Sequence, residues 1–379
     1  MDTKSRRPPK HILLAFCAII ALFYLFRIRP RHQTFAQVNS IVDCCEATHD
    51  KPEGLGQAGH SWAGWQTVEN MFIFGDSYSD TGFDVVGEQP SEEKPMGNSP
   101  FYWEHTGPRW PMLLTETYND SAIKTYCFAT SGASVDKTID NNVVPPDFVE
   151  QVERIFIPSF VKDNSEESSW KPETSLFVVF FGINDNRLLE MMPGSRTSET
   201  QRRMLERYSD MLQTLYDNGA RNIMIVNVPP MGRSPSGTNK ISRFIATWNQ
   251  ALSEMAITTT RMLRGAKILE FDAFDFFNRG LDDPTVYQQT SHIKITDDRC
   301  AAYDEEWKRA VEIDAFDEDC GIALKDYFWW DALHPTPSVQ DALAEQIAEY
   351  LRHGKVANTA NATSVTHKSH RQSGHRFED

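Results

Sequence analysis

A chain of 379 residues, 40% hydrophobic and 11% aromatic, is long enough to bury a substantial core, and its composition is neither disordered nor collagen-like. Lys and Arg total 38 against 53 Asp and Glu, a formal charge of -15, and no basic stripe outside the termini offsets it, which argues against nucleic acid as a partner. The six cysteines form no Cys-x-x-Cys pair and no His cluster stands at ligand spacing, which argues against a structural zinc site.

Residues 1–35 hold a basic segment followed by an apolar one. Lys4, Arg6, Arg7 and Lys10 precede fifteen uninterrupted apolar residues, 12–26, and Arg27, Arg29 and Arg31 follow. A membrane span takes about 20 apolar residues, so this run is short for an anchor and long for a signal-peptide core. Either reading sends the chain into the secretory pathway. The absence of a small-x-small site beside the run leans toward a signal anchor. Residues 36–65 are polar and irregular and read as a stem. Gly59-His60-Ser61-Trp62-Ala63 resembles a nucleophile elbow, but no strand precedes it, so Ser61 is set aside.

Residues 66–354 read as one folded domain. Met71-Phe72-Ile73-Phe74 runs directly into Gly75-Asp76-Ser77, a buried parallel strand ending in a sharp turn at a serine. A long Gly- and Pro-rich loop follows, from Gly82 to Pro111, with Trp103 and Trp110 as ring-bearing surfaces for substrate or as core cover. Tyr126–Ala129 is a short strand leading to Thr130-Ser131-Gly132-Ala133, and Leu176–Phe181 is another, ending in Gly182-Ile183-Asn184-Asp185. A helix over 197–218, a strand over 222–228, a helix over 241–264 and a strand over 267–271 continue the alternation. Strands alternating with helices imply a parallel sheet covered on both faces, with ligands at the carboxyl ends of the strands. An acidic segment, 279–326, contains Cys300 and Cys320, the pair expected to form a disulfide because both flank one insertion; Cys44 and Cys45 are adjacent and their partners stay open. Tyr327-Phe328-Trp329-Trp330-Asp331-Ala332-Leu333-His334-Pro335 leads into a last helix, 338–352. Residues 355–379 are a polar tail, read as disordered, with His367, His370 and His375 scattered through it. Asn119-Asp120-Ser121 and Asn361-Ala362-Thr363 are N-glycosylation sequons, so Asn119 and Asn361 are acceptor candidates in a lumenal or extracellular domain.

Acyl transfer by a serine needs a hydroxyl, a base, a group that orients the base, and donors for the oxyanion. Ser77 supplies the hydroxyl, His334 the base and Asp331, three residues before it, the orienting carboxylate. Ser77 N–H, Gly132 N–H and the Asn184 amide are the candidate donors. Each taken singly has a plain structural reading: Asp76 or Ser77 as a turn cap, Asn184-Asp185 as a turn, Asp331 or His334 as a cap before Pro335.

Taken in order, Gly75-Asp76-Ser77, Gly132, Gly182-x-Asn184-Asp185 and Asp331-x-x-His334 resemble the four blocks of the GDSL, or SGNH, hydrolases. Gln89-Pro90, Gly97-Asn98, Gly107-Pro108-Arg109-Trp110 and Asn227-Val228-Pro229-Pro230-Met231-Gly232 are similar to the fungal branch that includes the acetylesterases of carbohydrate esterase family sixteen. The resemblance implies a three-layer α/β/α sandwich with a mostly parallel sheet, no cofactor, and the roles just given for Ser77, Gly132, Asn184, Asp331 and His334. It also implies an acylated carbohydrate or other small ester as substrate, with Trp103, Trp110 and Trp330 as sugar-stacking faces. Two positions depart from the branch: Ser131 stands where glycine is usual and Cys127 where asparagine is common.

Overall fold

The computed structural model describes residues 63–99, 107–140, 144, 146–161, 170–304 and 314–353. The apolar run 12–26, the stem up to residue 62, Trp103, Asn361 and the polar tail lie outside the described residues. Among the described residues no helix is long and apolar enough to cross a membrane.

Five strands, β1 (Asn70–Gly75), β2 (Lys124–Cys127), β3 (Ser175–Phe180), β4 (Asn222–Val226) and β5 (Lys267–Phe271), form one sheet in the order β2-β1-β3-β4-β5. Every pairing is parallel. The residues of β1, β3 and β4 are buried throughout, as expected of strands covered on both faces. The connection out of β1 leads to β2 on one side and the connection out of β3 leads to β4 on the other, so the chain reverses direction between β1 and β3. In a parallel α/β sheet such a reversal opens a crevice at the carboxyl ends of the two strands.

Right-handed crossovers then put the β1–β2 helix α1 (Trp110–Glu116) on one face and the later connections on the other. The C-terminal helix α7 (Pro337–His353) packs on α1. On the opposite face lie α2, which runs through Phe148–Glu150, a π-helical turn Gln151–Phe156 and Ile157–Phe160, then α3 (Ile183–Met191), α4 (Thr197–Asp217) and α5 (Asn239–Met262). α4 packs on α2, and α3, α4 and α5 pack on one another. The result is the three-layer α/β/α arrangement.

β1 is held by its own side chains. Phe72 lies in register with Tyr126 on β2 and Phe177 on β3, and the three rings stack at centroid distances of 5.0 and 4.9 Å. Phe156, Phe160 and Trp170 meet the Phe72 ring edge-on at 5.3, 5.4 and 5.5 Å. The end of β1 is pinned by Gln151, the first residue of the π-turn: its Nε2 donates to the Gly75 carbonyl at 2.9 Å and its Oε1 accepts the Gly75 N–H at 3.0 Å. A rigid strand thereby delivers the Gly-Asp-Ser turn to the crevice.

Candidate active site

Beyond Gly75 the chain folds into one tight turn, in which the Asp76 carbonyl accepts the N–H of Ser79 and of Asp80, both at 3.0 Å. Ser77 sits at its apex, 7% exposed, and its own carbonyl accepts from Arg109 Nη1. Asp76 is fully buried; one carboxylate oxygen accepts the Tyr78 N–H at 3.0 Å and the other has no partner. Burial raises the Asp76 carboxyl to about 7; the Tyr78 N–H pulls against this, the Asp80 charge adds to it, and Arg109 opposes it.

From the far end of the chain comes the Asp331–His334 turn. His334 Nε2 lies 2.8 Å from Ser77 Oγ, and His334 Nδ1 lies 2.7 Å from Asp331 Oδ2. In the tautomer that donates Nδ1–H to the carboxylate, Nε2 is left to accept the serine proton. The other oxygen of Asp331 accepts the N–H of Leu333 and of His334, each at 2.6 Å. Burial disfavours the charge on Asp331, but the hydrogen bond and positive potential of His334, with these two N–H groups, prevail and hold the carboxyl below the usual carboxylate range.

Two other segments complete the rim. The loop carrying Gly132 is tied to the Ser77 turn, with Thr130 N–H donating to the Gly75 carbonyl at 3.1 Å and Ser131 donating its N–H and hydroxyl to Asp80 Oδ2 at 2.8 and 2.7 Å. Gly132 itself has φ +85°, a left-handed conformation that glycine adopts without strain. Asn184, in the first turn of α3, donates Nδ2–H to the Ala133 carbonyl at 2.9 Å, which leaves its second amide N–H as a donor. The bend before it needs Gly182: at φ +121° a Cβ would come within 2.5 Å of Val228 and 2.6 Å of the Trp248 indole. Ser77, Gly132, Asn184, Asp331 and His334 thus come from segments that meet at the mouth of the β1–β3 crevice.

Not every residue singled out from sequence belongs there. Trp110 is a correction: its ring is 0% exposed inside α1, with Nε1 donating to Ser79 Oγ at 3.2 Å, so it supports the nucleophile turn from behind and offers no face to a sugar. Trp330 is partly buried against a small cluster of Tyr303, Leu324 and Tyr327 inside the acidic excursion. Cys300 and Cys320 are joined in a disulfide within that excursion. Asn119 donates Nδ2–H to the Ser121 carbonyl at 3.0 Å, and Ser121 Oγ donates to the Val68 carbonyl, which puts the sequon at the amino end of the sheet, opposite the crevice. Cys127 donates its thiol to the Ser79 carbonyl at 3.0 Å; burial pushes it up to about 12, so it stays a protonated thiol.

Sequence reasoning missed several supporting residues: Asp80 and Gln151, which tie the nucleophile turn to its neighbours, and Arg109, whose block was noted without a role. The departure at Ser131 now has a physical account, since its hydroxyl adds a second bond to Asp80. Among the described residues no group of His, Cys, Asp and Glu is arranged to hold a metal ion.

The family model for GDSL-like lipases/acylhydrolases matches residues 71–347, and the chain belongs to that family and is a carboxylic ester hydrolase. An acetylesterase of Thermothelomyces thermophilus is 34% identical over 237 residues, 58% of this chain and 76% of its own. A phosphatidylcholine-sterol acyltransferase of Aeromonas hydrophila is 26% identical over 326 residues, 74% of this chain and 89% of its own. Among solved structures, an acetylxylan esterase from Geobacillus stearothermophilus aligns with a TM-score of 0.41 and 13% identity, over 74% of this chain and 92% of its own.

Proposed function

We propose that the protein is a serine esterase that removes acetyl or other short acyl groups, with an acylated carbohydrate as substrate, through a Ser77–His334–Asp331 triad. Ser77 Oγ attacks the ester carbonyl carbon as its proton passes to His334 Nε2, and Asp331 stabilises the imidazolium. The oxyanion of the tetrahedral intermediate is received by the N–H groups of Ser77 and Gly132 and by the Asn184 amide. Collapse expels the alcohol, which takes the proton from His334, and leaves an acyl-serine. Water, deprotonated by the same imidazole, then hydrolyses it.

The observation that carries this reading is the unbroken hydrogen-bond sequence from Asp331 through His334 to Ser77, in a chain whose family hydrolyses esters. The acetyl preference draws support from the relative named an acetylesterase. For the alcohol part, the partly buried Trp330, directly before Asp331, is the aromatic assigned to stack on a sugar ring. A secretory route, with the domain lumenal or extracellular, is supported by the apolar run 12–26, the two sequons and a disulfide suited to an oxidising compartment.

The test is hydrolysis of p-nitrophenyl esters from acetyl to palmitoyl, together with an acetylated xylo-oligosaccharide, by the full chain and its Ser77→Ala variant. Activity is expected to be highest on acetyl esters and to fall at least about a thousandfold in the variant. Turnover retained without the hydroxyl sinks the triad. Activity rising with chain length instead marks a lipase-like acylhydrolase, and a wild type that binds the oligosaccharide without cleaving any ester marks a binding protein on this fold. Fractionation between membrane and medium distinguishes an anchored product from a released one.

A further inference from the structure

The chemistry above leaves two features without a role: the residue directly after the nucleophile, and the Pro229-Pro230-Met231-Gly232 block with the turn that follows it. Both end on the same loop. Tyr78 is fully buried, and its hydroxyl donates to the Leu333 carbonyl at 2.7 Å across 255 positions of chain. Its ring lies 5.8 Å from the His334 ring, and Met231 Sδ stands 3.6 Å from the hydroxyl. Ser236 donates both its N–H, at 3.1 Å, and its hydroxyl, at 2.8 Å, to the Ala332 carbonyl. Arg187 Nη1 in turn donates to Ser236 Oγ at 3.1 Å.

Two consecutive carbonyls of the Asp331–His334 turn are therefore bound from two different segments. The turn is braced from within as well: Asp331 accepts the N–H groups of Leu333 and His334, and the His334 carbonyl accepts the Trp330 N–H at 2.9 Å. The main chain that carries the imidazole cannot shift without breaking one of these bonds. We propose that Tyr78 and Ser236 are positioning residues, whose hydroxyls set the height of His334 Nε2 over Ser77 Oγ by clamping the Leu333 and Ala332 carbonyls. The residue next to the nucleophile thus gauges its distance to the base. Burial, reinforced by the charges of Asp331 and Asp76 and opposed by Arg187, holds the Tyr78 phenol well above its ordinary range, so it is a donor at neutral pH.

This inference rests on Ser77 acting as the nucleophile. Its test uses Tyr78→Phe, which removes one oxygen and keeps the ring, and Ser236→Ala, which keeps the main-chain N–H bond. Steady-state hydrolysis of p-nitrophenyl acetate and the rate of covalent labelling of Ser77 by a p-nitrophenyl phosphonate are measured well below the melting temperature of each variant. For Tyr78→Phe, kcat and the labelling rate are expected to fall together by about tenfold to a hundredfold with KM changed by no more than about twofold, since small misplacements of a reacting group cost rate rather than affinity. For Ser236→Ala the same pattern is expected at about threefold to tenfold. A merely structural role would lower the melting temperature and leave kcat and labelling of the folded protein at the wild-type level, which overturns the proposal. Should Tyr78→Phe fail to fold, Ser236→Ala decides. A Ser77→Ala control separates the two failures: if it turns over like the wild type, the nucleophile assignment is wrong, and if it is dead while Tyr78→Phe and Ser236→Ala are fully active, only the clamp is wrong.

Discussion

At Asp331 the two carboxylate oxygens have different tasks. One caps the turn by accepting the N–H groups of Leu333 and His334, and the other holds the imidazole. The cap belongs to one oxygen and the contact with the imidazole to the other, so the two readings of Asp331 do not compete for the same atom. Asp76 shows the opposite situation, with one oxygen left without a partner in a fully buried site. Its carboxyl ordinarily titrates near 3.8 and here is raised to about 7. A carboxyl raised on folding binds its proton more tightly in the native state, so its stabilising contribution is complete below the unfolded value and is lost as pH climbs from about 4 to about 7. Asp76→Asn abolishes that dependence: relative to the wild type, the variant should gain about 4 kcal/mol between pH 4 and pH 8, as read from urea unfolding at the two pH values. A difference that does not change with pH would show that Asp76 is ionised in the native protein across this range. Ser77, Asp331 and His334 were legible because each stands in a short local motif with its partner chemistry attached. Tyr78, Asp80 and Gln151 were not, because what distinguishes them is a hydrogen bond to a carbonyl or amide far away in the chain.

Strands were more legible than helices. An unbroken apolar run such as 176–180 declares a buried strand by itself, and β5 runs over Lys267–Phe271 as read from sequence. Several helices were not foreseen, and for three of them the reason is local. α1 begins Trp110-Pro111 at the end of a proline-rich loop and is too short to show a polar face. α3 opens with Asn184-Asp185-Asn186, a turn composition. It is helical because those side chains find tertiary partners: Asp185 accepts the Val135 N–H at 3.0 Å and Asn186 Oδ1 accepts from Gln201 Nε2 at 3.2 Å. α6, Ala273–Asp282, was hidden by the acidic composition of the segment it enters, although Asp272 caps it by accepting the Asp275 N–H at 2.9 Å. The aromatic ladder through Phe72 belongs to this scale too, because it joins three strands and α2. Phe72→Ala should destabilise the domain by about 3–5 kcal/mol, visible as a lower urea midpoint, while turnover per folded molecule is retained, since the ring points into the core and not into the crevice.

Over the whole molecule, the acidic excursion is a small annex with a closed neck. Lys294 and Ile295 donate their N–H groups to the Asp326 carbonyl at 2.8 and 3.2 Å, Phe328 donates to the Ile295 carbonyl at 2.8 Å, and the Trp329 indole donates to the Thr296 carbonyl at 2.8 Å. The neck leads straight into the Asp331–His334 turn but is built without the disulfide, which closes a loop between residues 20 apart farther out. Replacing both Cys300 and Cys320 by Ala should therefore cost about 3 kcal/mol of stability, by releasing the constraint on the unfolded loop, and change the initial rate of ester hydrolysis by less than about twofold at 25 °C. A large loss of rate in a variant that is still folded would mean that the annex shapes the site directly.

The hydroxyl of residue 77 and its hydrogen-bond partner, the imidazole of residue 334, lie 257 positions apart. A ribosome has therefore made nearly the entire domain before the pair can meet. On the proposed chemistry, a nascent chain emerges with its serine inert, and acquires reactivity only when the turn carrying residue 334 docks beside it.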